Sequence, residues 1–303
     1  MIKVIGIVGA TGSGKTYLSN LLARKFKAEI INTDASSFRK GLDIGTAKPK
    51  NEEMLVKHHL IDFLNPIEDY SINSFQKDCR SKIEELNEEN KLVFLVGGSM
   101  LYLNSVIYDY QFSKVKRDKK KYLAYSNDEL YEYLIKLDPA LKDKYHPNNR
   151  RRIERALDLI EDNSLKQKQT ETKYYDFLII FLNPERKDLY DRINKRVDLM
   201  LEEGFIDEVK ALKEAGIDLT KIKEIGYKEL GDYLDGKITL EDAKEVIAQK
   251  TRNYAKRQIT WYRNKIETVE VKVDYNNLDL ALKKSEELIM RFLNGKTTKE
   301  NSK

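Results

Sequence analysis

Residues 3 to 16 read Lys3-Val-Ile-Gly-Ile-Val-Gly9-Ala-Thr-Gly-Ser-Gly14-Lys15-Thr16. An apolar run of strand character leads straight into the spacing G-x-x-x-x-G-K-T, the signature of a phosphate-binding loop. Glycines let the backbone fold around an anion with its N–H groups pointing inward. Lys15 adds a point charge, and Thr16 offers a hydroxyl to Mg²⁺. The helix starting here turns its positive end toward the same place. That helix is supported by Leu18, Leu21, Leu22 and Phe26, which recur at helical spacing. Strand, loop and helix follow in the required order, so a glycine-rich turn without chemical use is the weaker reading. Gly9, Ala10, Thr11, Gly12, Ser13, Gly14, Lys15 and Thr16 are therefore expected to bind a diphosphate or nucleotide.

Downstream, Glu29-Ile-Ile-Asn-Thr-Asp34 reads as a second strand and His58-His-Leu-Ile-Asp-Phe63 as a short extended segment. Ser74 to Glu89 reads as a helix with Phe75, Cys79, Ile83 and Leu86 on one side. Leu92-Val-Phe-Leu-Val96 is apolar throughout, as in a strand buried on both faces, and Gly97-Gly98 ends it. Tyr175 to Leu182 restores the sheet, and the chain after Arg186 reads as helices apart from an apolar stretch near Val269. Alternating strands and helices predict an α/β fold, a doubly wound parallel sheet of the P-loop NTPase type. Ligands of such sheets sit at the carboxyl ends of the strands, where the phosphate loop, Asp34 and Gly97-Gly98-Ser99 all fall.

Between Tyr110 and Tyr145 the composition shifts to lysine, tyrosine and acids without glycine, which predicts a small helical insertion at 110–145. The expected organisation is a first core part over 1–109, the insertion, a second core part with C-terminal helices over 146–293, and a disordered tail at 294–303. With 303 residues, one large domain with a small appendage fits better than several domains.

Charged residues make up 35% of the chain, so its surface is heavily solvated, and no apolar run is long enough to cross a bilayer. The N-terminal strand leaves no room for a signal peptide. The one cysteine, Cys79, excludes an internal disulfide and fits the cytoplasm, where its place on an amphipathic helix suits a packed side chain better than a catalytic thiol. His58, His59 and His146 lack zinc-site spacing, so no structural metal is expected.

The net charge is only +5, but its distribution is uneven. Residues 84–89 are acidic, whereas Arg150-Arg-Arg-Ile-Glu-Arg155 is basic, and the stretch from Lys250 to Lys265 holds six basic residues and no acid. On a helix over that stretch Ile247, Tyr254 and Trp261 share one face, with Arg252, Lys256 and Arg263 almost opposite. That charge marks either a polyanion site or a solvated helix face.

An ordinary P-loop NTPase ends a later apolar strand in a carboxylate that holds Mg²⁺ through water. Here the corresponding strand ends Val96-Gly-Gly-Ser99. The nearest acid at a strand end is Asp34, which is a magnesium ligand, a general base, or simply a turn aspartate. Ser99 either caps the following helix or donates a hydrogen bond to a ligand from its start. Residues alone thus point to a phosphate-ligand enzyme with a nucleic-acid substrate as one option.

Several longer stretches carry a resemblance. They are Gly9 to Thr16; Asp34 with Gly41-Leu-Asp-Ile-Gly-Thr-Ala-Lys-Pro49; His58-His-Leu-Ile-Asp62 with Tyr70-Ser71; and Gly97-Gly-Ser-Met-Leu-Tyr102. Others are Pro147-Asn-Asn-Arg-Arg-Arg-Ile-Glu-Arg-Ala-Leu157; Arg192-Ile-Asn-Lys-Arg-Val197 with Met200 and Gly204; Ile225-Gly-Tyr-Lys-Glu-Leu230; and Thr251-Arg-Asn-Tyr-Ala-Lys-Arg-Gln-Ile-Thr-Trp261. In these the chain resembles the tRNA dimethylallyltransferases, also called tRNA isopentenyltransferases. The 41–49 stretch and the Ala-Lys-Arg-Gln-Ile-Thr-Trp stretch are far more specific to that family than the phosphate loop.

The resemblance implies transfer of a dimethylallyl group from dimethylallyl diphosphate to N6 of adenosine 37, beside the anticodon, in tRNAs that read codons beginning with U. Mg²⁺ is the implied cofactor, with Thr16 as its protein ligand. By resemblance Asp34 is the base that accepts the N6 proton, and Ser99, where the family has threonine, contacts the leaving oxygen and the substrate. Arg192 and Arg196 add cations for the diphosphate. Asp34, Ala35, Ser36, Ser37, Ser99, Arg151, Arg152, Ile153, Glu154, Arg155, Lys223, Gly226 and Tyr227 fall in segments implied to contact the anticodon stem-loop. Arg252 and Lys256 of the basic helix would favour its phosphate backbone. The target base must leave its stack to reach a buried donor. The chain departs from the family's usual residues at Ala35, Ser37, Phe38 and Arg39, in the segment implied to face the adenosine, and its insertion is short. Two other readings are an adenine-nucleotide prenyltransferase, against which the basic segments speak, and a small-metabolite P-loop kinase, against which the missing acid speaks. A cytoplasmic monomer away from membranes is the default expectation.

Overall fold

A single parallel sheet organises the larger part of the chain, seen in a computed structural model that describes residues 1–113, 115, 120–162 and 172–295. Its strands are β1 (Lys3–Gly9), β2 (Ala28–Asn32), β3 (His58–His59), β4 (Leu92–Gly97), β5 (Asp176–Pro184) and β6 (Val269–Val273). They lie in the order β3-β2-β4-β1-β5-β6, and every pairing is parallel. The side-chain period of two sorts the apolar strands into two cores. Val4, Val8, Ile31, Val93, Leu95 and Phe181 face α2 (Ile72–Glu88) and α3 (Met100–Ile107). Ile5, Ile7, Ile30, Phe94, Ile180 and Leu182 face α1 (Lys15–Lys25) and α10 (Leu278–Leu293). The doubly wound sheet expected from the alternation is thus present, with helices on both faces.

Helix α2 buries Phe75, Cys79, Ile83 and Leu86, the four residues its spacing predicts. The expected strand from His58 to Phe63 shrinks to two residues, because Leu60 and Asp62 adopt left-handed φ values of 53° and 56°. Strand β2 stops two residues before Asp34, where the Asn32 side chain takes over the backbone: its Oδ1 accepts the Asp34 N–H at 3.1 Å and its amide donates to the Asp34 carbonyl at 3.1 Å.

A helical group follows β5. It comprises α6 (Arg186–Glu202), α7 (Phe205–Glu214), α8 (Tyr227–Leu234) and the long α9 (Leu240–Asn264), packed through Val197, Phe205, Val209, Tyr227, Leu230 and Ile247.

The chain divides into two compact units, residues 1–108 with 173 onward, and residues 109–172. The second unit is wider than the 110–145 expected. In it α5 (Arg150–Glu161) packs Ile153, Ala156 and Leu157 against Leu130 and Leu134 of α4 (Asn127–Leu137), so the apolar stripe of α5 belongs to the insertion and not to the sheet. The tail expected at 294–303 lies, beyond Asn294 and Gly295, outside the described residues. Among the described residues no helix is long and apolar enough to cross a membrane.

Candidate active site

The phosphate loop closes on itself through a Ser13 N–H to Ala10 carbonyl bond of 3.1 Å, with Gly12 and Gly14 at φ values of 82° and 87°. The N–H groups of Gly12, Gly14, Lys15 and Thr16 have no acceptor among the described residues and stand at the positive end of α1. Lys15 reaches back to the Ala10 carbonyl at 3.1 Å. Burial pushes its ammonium below the ordinary lysine range; Asp34 pulls it back up and Arg196 pushes it further down. Arg196 is itself depressed, first by burial, then by Arg192, and Asp34 again opposes the shift. Lys15, Arg196 and Asp34 therefore share one electrostatic neighbourhood.

A cleft of about 970 Å³ brings these groups together, lined by the phosphate loop, Asp34, Lys48, Arg192, Lys195 and Arg196 among others. Arg192 stacks its guanidinium 4.8 Å from the Tyr275 ring, and the Tyr275 hydroxyl donates to the Gly12 carbonyl at 2.8 Å. Burial pushes that hydroxyl up to about 12, so it stays a donor at every working pH.

Asp34 is held from four sides. Its Oδ1 accepts the Ser36 hydroxyl at 2.9 Å, the Ser36 N–H at 3.4 Å and the Ser99 hydroxyl at 3.2 Å. Its Oδ2 accepts the Gly98 N–H at 3.2 Å. Asp34 is thus the cap of the short turn Ala35–Phe38 and also a carboxylate facing the cleft. Ser99 occupies the cap position of α3 without capping it; its hydroxyl accepts the Ala35 N–H at 3.0 Å and donates to Asp34. Its hydroxyl holds the carboxylate in place.

A residue that sequence reading passed over ties these parts together. Gln258 of α9 is fully buried; its Oε1 accepts the Thr11 N–H at 2.9 Å and its Nε2 donates to the Gly98 carbonyl at 2.9 Å. A Cβ at Gly98 would come within 2.3 Å of that Nε2, which explains glycine there. The buried stripe of α9 runs through Ala243, Ile247, Ala255, Gln258 and Tyr262, with Tyr254 and Trp261 only flanking it. A polar residue centred in an otherwise apolar stripe was the available signal. Tyr254 also borders the carboxylate: burial and then the Asp34 charge raise its hydroxyl above the ordinary range, while hydrogen bonds to Ser99 and Gln258 oppose the rise.

The family-specific stretch 41–49 has a different role from the phosphate loop. Glu208 accepts the N–H groups of Asp43 (2.9 Å), Ile44 (2.7 Å) and Gly45 (3.2 Å), and the Tyr227 hydroxyl at 2.6 Å. A Cβ at Gly45 would sit 2.2 Å from the Phe205 ring. Lys48, nearly buried, spans the Arg39 carbonyl, Asp43 and Asp62. This loop is a wall of the cleft, stapled from behind.

Not all residues expected to contact RNA are available to do so. Tyr227 is buried against Phe205, and Gly226 takes a φ of 108° under the same ring. Ile153 is fully buried and Glu154 binds Arg150 at 2.8 Å, so both are interior parts of the insertion. Ser37 is also buried. Ala35, Ser36, Arg151, Arg152, Lys223 and Lys256 are exposed or partly so. Arg155 donates to the Val115 carbonyl, and Arg252 to Asn194. Of the departures from the family pattern, Phe38 is 2% exposed inside a ring of Phe63, Tyr70, Phe75 and Tyr102, while Arg39 binds the carbonyls of Asn65, Pro66 and Glu68. These two serve packing and loop anchoring, and do not face the cleft.

The IPP transferase family model matches residues 38–265. A tRNA dimethylallyltransferase of Anoxybacillus flavithermus is 44% identical over 275 residues, covering 87% of this chain and 88% of that protein. The chain belongs to the tRNA dimethylallyltransferase family. The crystal structure of the full-length tRNA isopentenylpyrophosphate transferase of Bacillus halodurans superposes with a TM-score of 0.76 at 40% identity, covering 98% of both chains. A eukaryotic dimethylallyltransferase captured acting on tRNA gives a TM-score of 0.87 at 29% identity, over 99% of this chain and 82% of that one.

The residues present fit a Mg²⁺ ion bound with a diphosphate. Thr16 and Asp34 place hard oxygen donors in the cleft, and Mg²⁺ characteristically takes one or two protein oxygens with the rest from phosphate and water. Among the described residues no cluster of three or more His, Cys, Asp or Glu could hold a metal without such help.

Proposed function

We propose that this enzyme transfers the dimethylallyl group of dimethylallyl diphosphate to N6 of adenosine 37 in tRNAs that read codons beginning with U. The observation that carries the reading is a carboxylate, Asp34, fixed by three neighbours within the electrostatic reach of a phosphate loop and its Lys15. The loop N–H groups, Lys15, Arg192 and Arg196 take the negative charge that grows on the diphosphate as the allylic C–O bond breaks. The electron pair of that bond leaves with the diphosphate, and the N6 lone pair forms the new C–N bond. Asp34 accepts the N6 proton, which sharpens an amine whose lone pair is otherwise delocalised into the ring. Ser99 keeps Oδ1 oriented throughout. A bound Mg²⁺, with Thr16 as protein ligand, neutralises diphosphate charge.

The target base enters from an anticodon loop out of its stack. Arg151, Arg152, Lys223 and Lys256 are the exposed cations that suit its backbone. The enzyme acts as a monomer, in the cytoplasm with its tRNA substrate.

The test is incubation with dimethylallyl diphosphate, Mg²⁺ and unmodified tRNA carrying A36-A37-A38, followed by nucleoside mass spectrometry. A dimethylallyl gain on tRNA adenosine, absent with AMP as acceptor, is expected. Asp34→Ala should lower turnover by about 10²- to 10⁴-fold, the usual worth of a general base. No gain on tRNA would overturn the reading.

A further inference from the structure

We infer that Gln258 is a positioning residue that fixes the distance between the leaving-group loop and the acceptor's base. The phosphate loop follows β1 and the Gly97-Gly98-Ser99 turn follows β4, its neighbour, but past the strand ends no backbone pairing among the described residues links the two turns. The side chain of Gln258 supplies the link, with one amide oxygen on the Thr11 N–H and the amide nitrogen on the Gly98 carbonyl, both at 2.9 Å. From Gly98 the chain of contacts continues through its own N–H to Asp34 Oδ2, and through Ser99 to Oδ1. Gln258 is 0% exposed, its amide also meets the Tyr254 hydroxyl, and Gly98 lacks the Cβ that would displace it.

The two partners would use different parts of the site. The diphosphate needs the loop, and the acceptor needs Asp34 and the surrounding surface. Attack needs both at once, in line and at contact distance, and small displacements between them are costly in rate. Gln258 is the only side chain among the described residues recorded as hydrogen-bonding both the phosphate loop and the Gly98 turn. Its removal therefore separates binding from chemistry. This inference deepens the proposed function and rests on it for the role of Asp34.

Gln258→Leu keeps the volume and removes both hydrogen bonds. The expected result is a kcat lowered about 10- to 100-fold per diphosphate-binding site, with the KM for each substrate and the Kd for inorganic diphosphate within about threefold of the parent. Gln258→Glu sharpens this. When protonated, the introduced carboxyl can donate to the Gly98 carbonyl and accept from Thr11; when ionised it cannot donate. Burial and the nearby Asp34 favour the protonated form. The ratio of variant to parent rate should therefore fall as pH rises, which a space-filling role would not produce.

Hydrogen exchange supplies a readout independent of turnover. In Gln258→Leu, peptides covering 9–16 and 97–100 should both lose protection while α9 keeps its own. A parent enzyme that makes no product would end the proposed function, and the exchange result would still decide the link. Turnover of Gln258→Leu within threefold of the parent would overturn the inference. So would a loss of turnover matched by loss of diphosphate binding, or a flat pH ratio in Gln258→Glu.

Discussion

In the Gly9–Thr16 loop the N–H groups of Gly12, Gly14, Lys15 and Thr16 end without an acceptor among the described residues, whereas those of Asp43, Ile44 and Gly45 in the 41–49 loop all end on Glu208. Both loops carry glycine, both present runs of backbone donors, and both line the same cleft. One turns its donors to the cleft; the other has them filled by the protein's own carboxylate. The difference follows from what stands opposite. The phosphate loop opens toward cations, Lys15, Arg192 and Arg196, whereas the 41–49 loop backs onto α7, which supplies both Glu208 and the Phe205 ring that forbids a side chain at Gly45. A family-specific motif can therefore be structural in the strict sense. Part of its specificity lies in fitting the wall of the cleft.

The comparison breaks most clearly at Lys15. Lys15→Met should lower turnover by about 10²- to 10³-fold, the loss typical of one charge-stabilising donor, and weaken inorganic diphosphate binding. Its thermal stability should hold or rise, because the folded protein desolvates the ammonium it would lose. If Lys15→Met instead unfolds the protein, the phosphate loop is as structural as its neighbour.

Glu208→Ala should behave the other way. Three N–H groups and the Tyr227 hydroxyl lose their acceptor together, for a stability loss of about 3 kcal/mol in denaturant titration. Added formate or acetate should recover part of that loss in the variant and leave the parent unchanged, since it can re-enter the vacated anion site. Equal response of both proteins would refute the self-filled site.

The smallest effect is at His58, behind both loops. Its Nε2 lies 3.0 Å from Asn20 Oδ1, which also accepts the Leu55 N–H, while the Asn20 amide donates to Thr16 at the start of α1. Burial, and then the charge of His59, depress His58 from its ordinary 6.5 to about 4. As pH falls from 6.5 to 4 the unfolded chain takes up a proton that the folded one refuses, so this contribution is complete above 6.5 and is lost across that window. His58→Gln should shallow the acid-side fall of the melting temperature by about 2 °C. An unchanged slope would place the acid sensitivity elsewhere.

Much of this molecule is legible without coordinates. The phosphate loop is written in contiguous residues, because one strand-turn-helix makes it and every donor is local. Strands β1, β4 and β5 read as apolar runs, since burial on both faces leaves little room for polar residues. Where local backbone overrode composition, reading fell short. His58 to Phe63 has strand composition, yet Leu60 and Asp62 turn left-handed so that Lys48 can reach Asp62. The shift in composition ends at Tyr145, and only contact with α4 assigns α5 to the insertion.

What the sequence by itself determined is the class of chemistry: an anion loop, a strand-end carboxylate, a basic helix and family-specific stretches that together identify a tRNA-prenylating enzyme. Tertiary structure alone decided how those parts are held. Ser99 meets Asp34 across 65 residues, Glu208 meets the 41–49 loop across about 165, and Gln258 meets Thr11 across 247. Each of these is a hydrogen bond whose donor and acceptor are common residue types with no local partner. A hydrogen bond carries no periodicity, so its pairing becomes definite only when folding brings distant groups to hydrogen-bonding distance and excludes the water that would otherwise satisfy them.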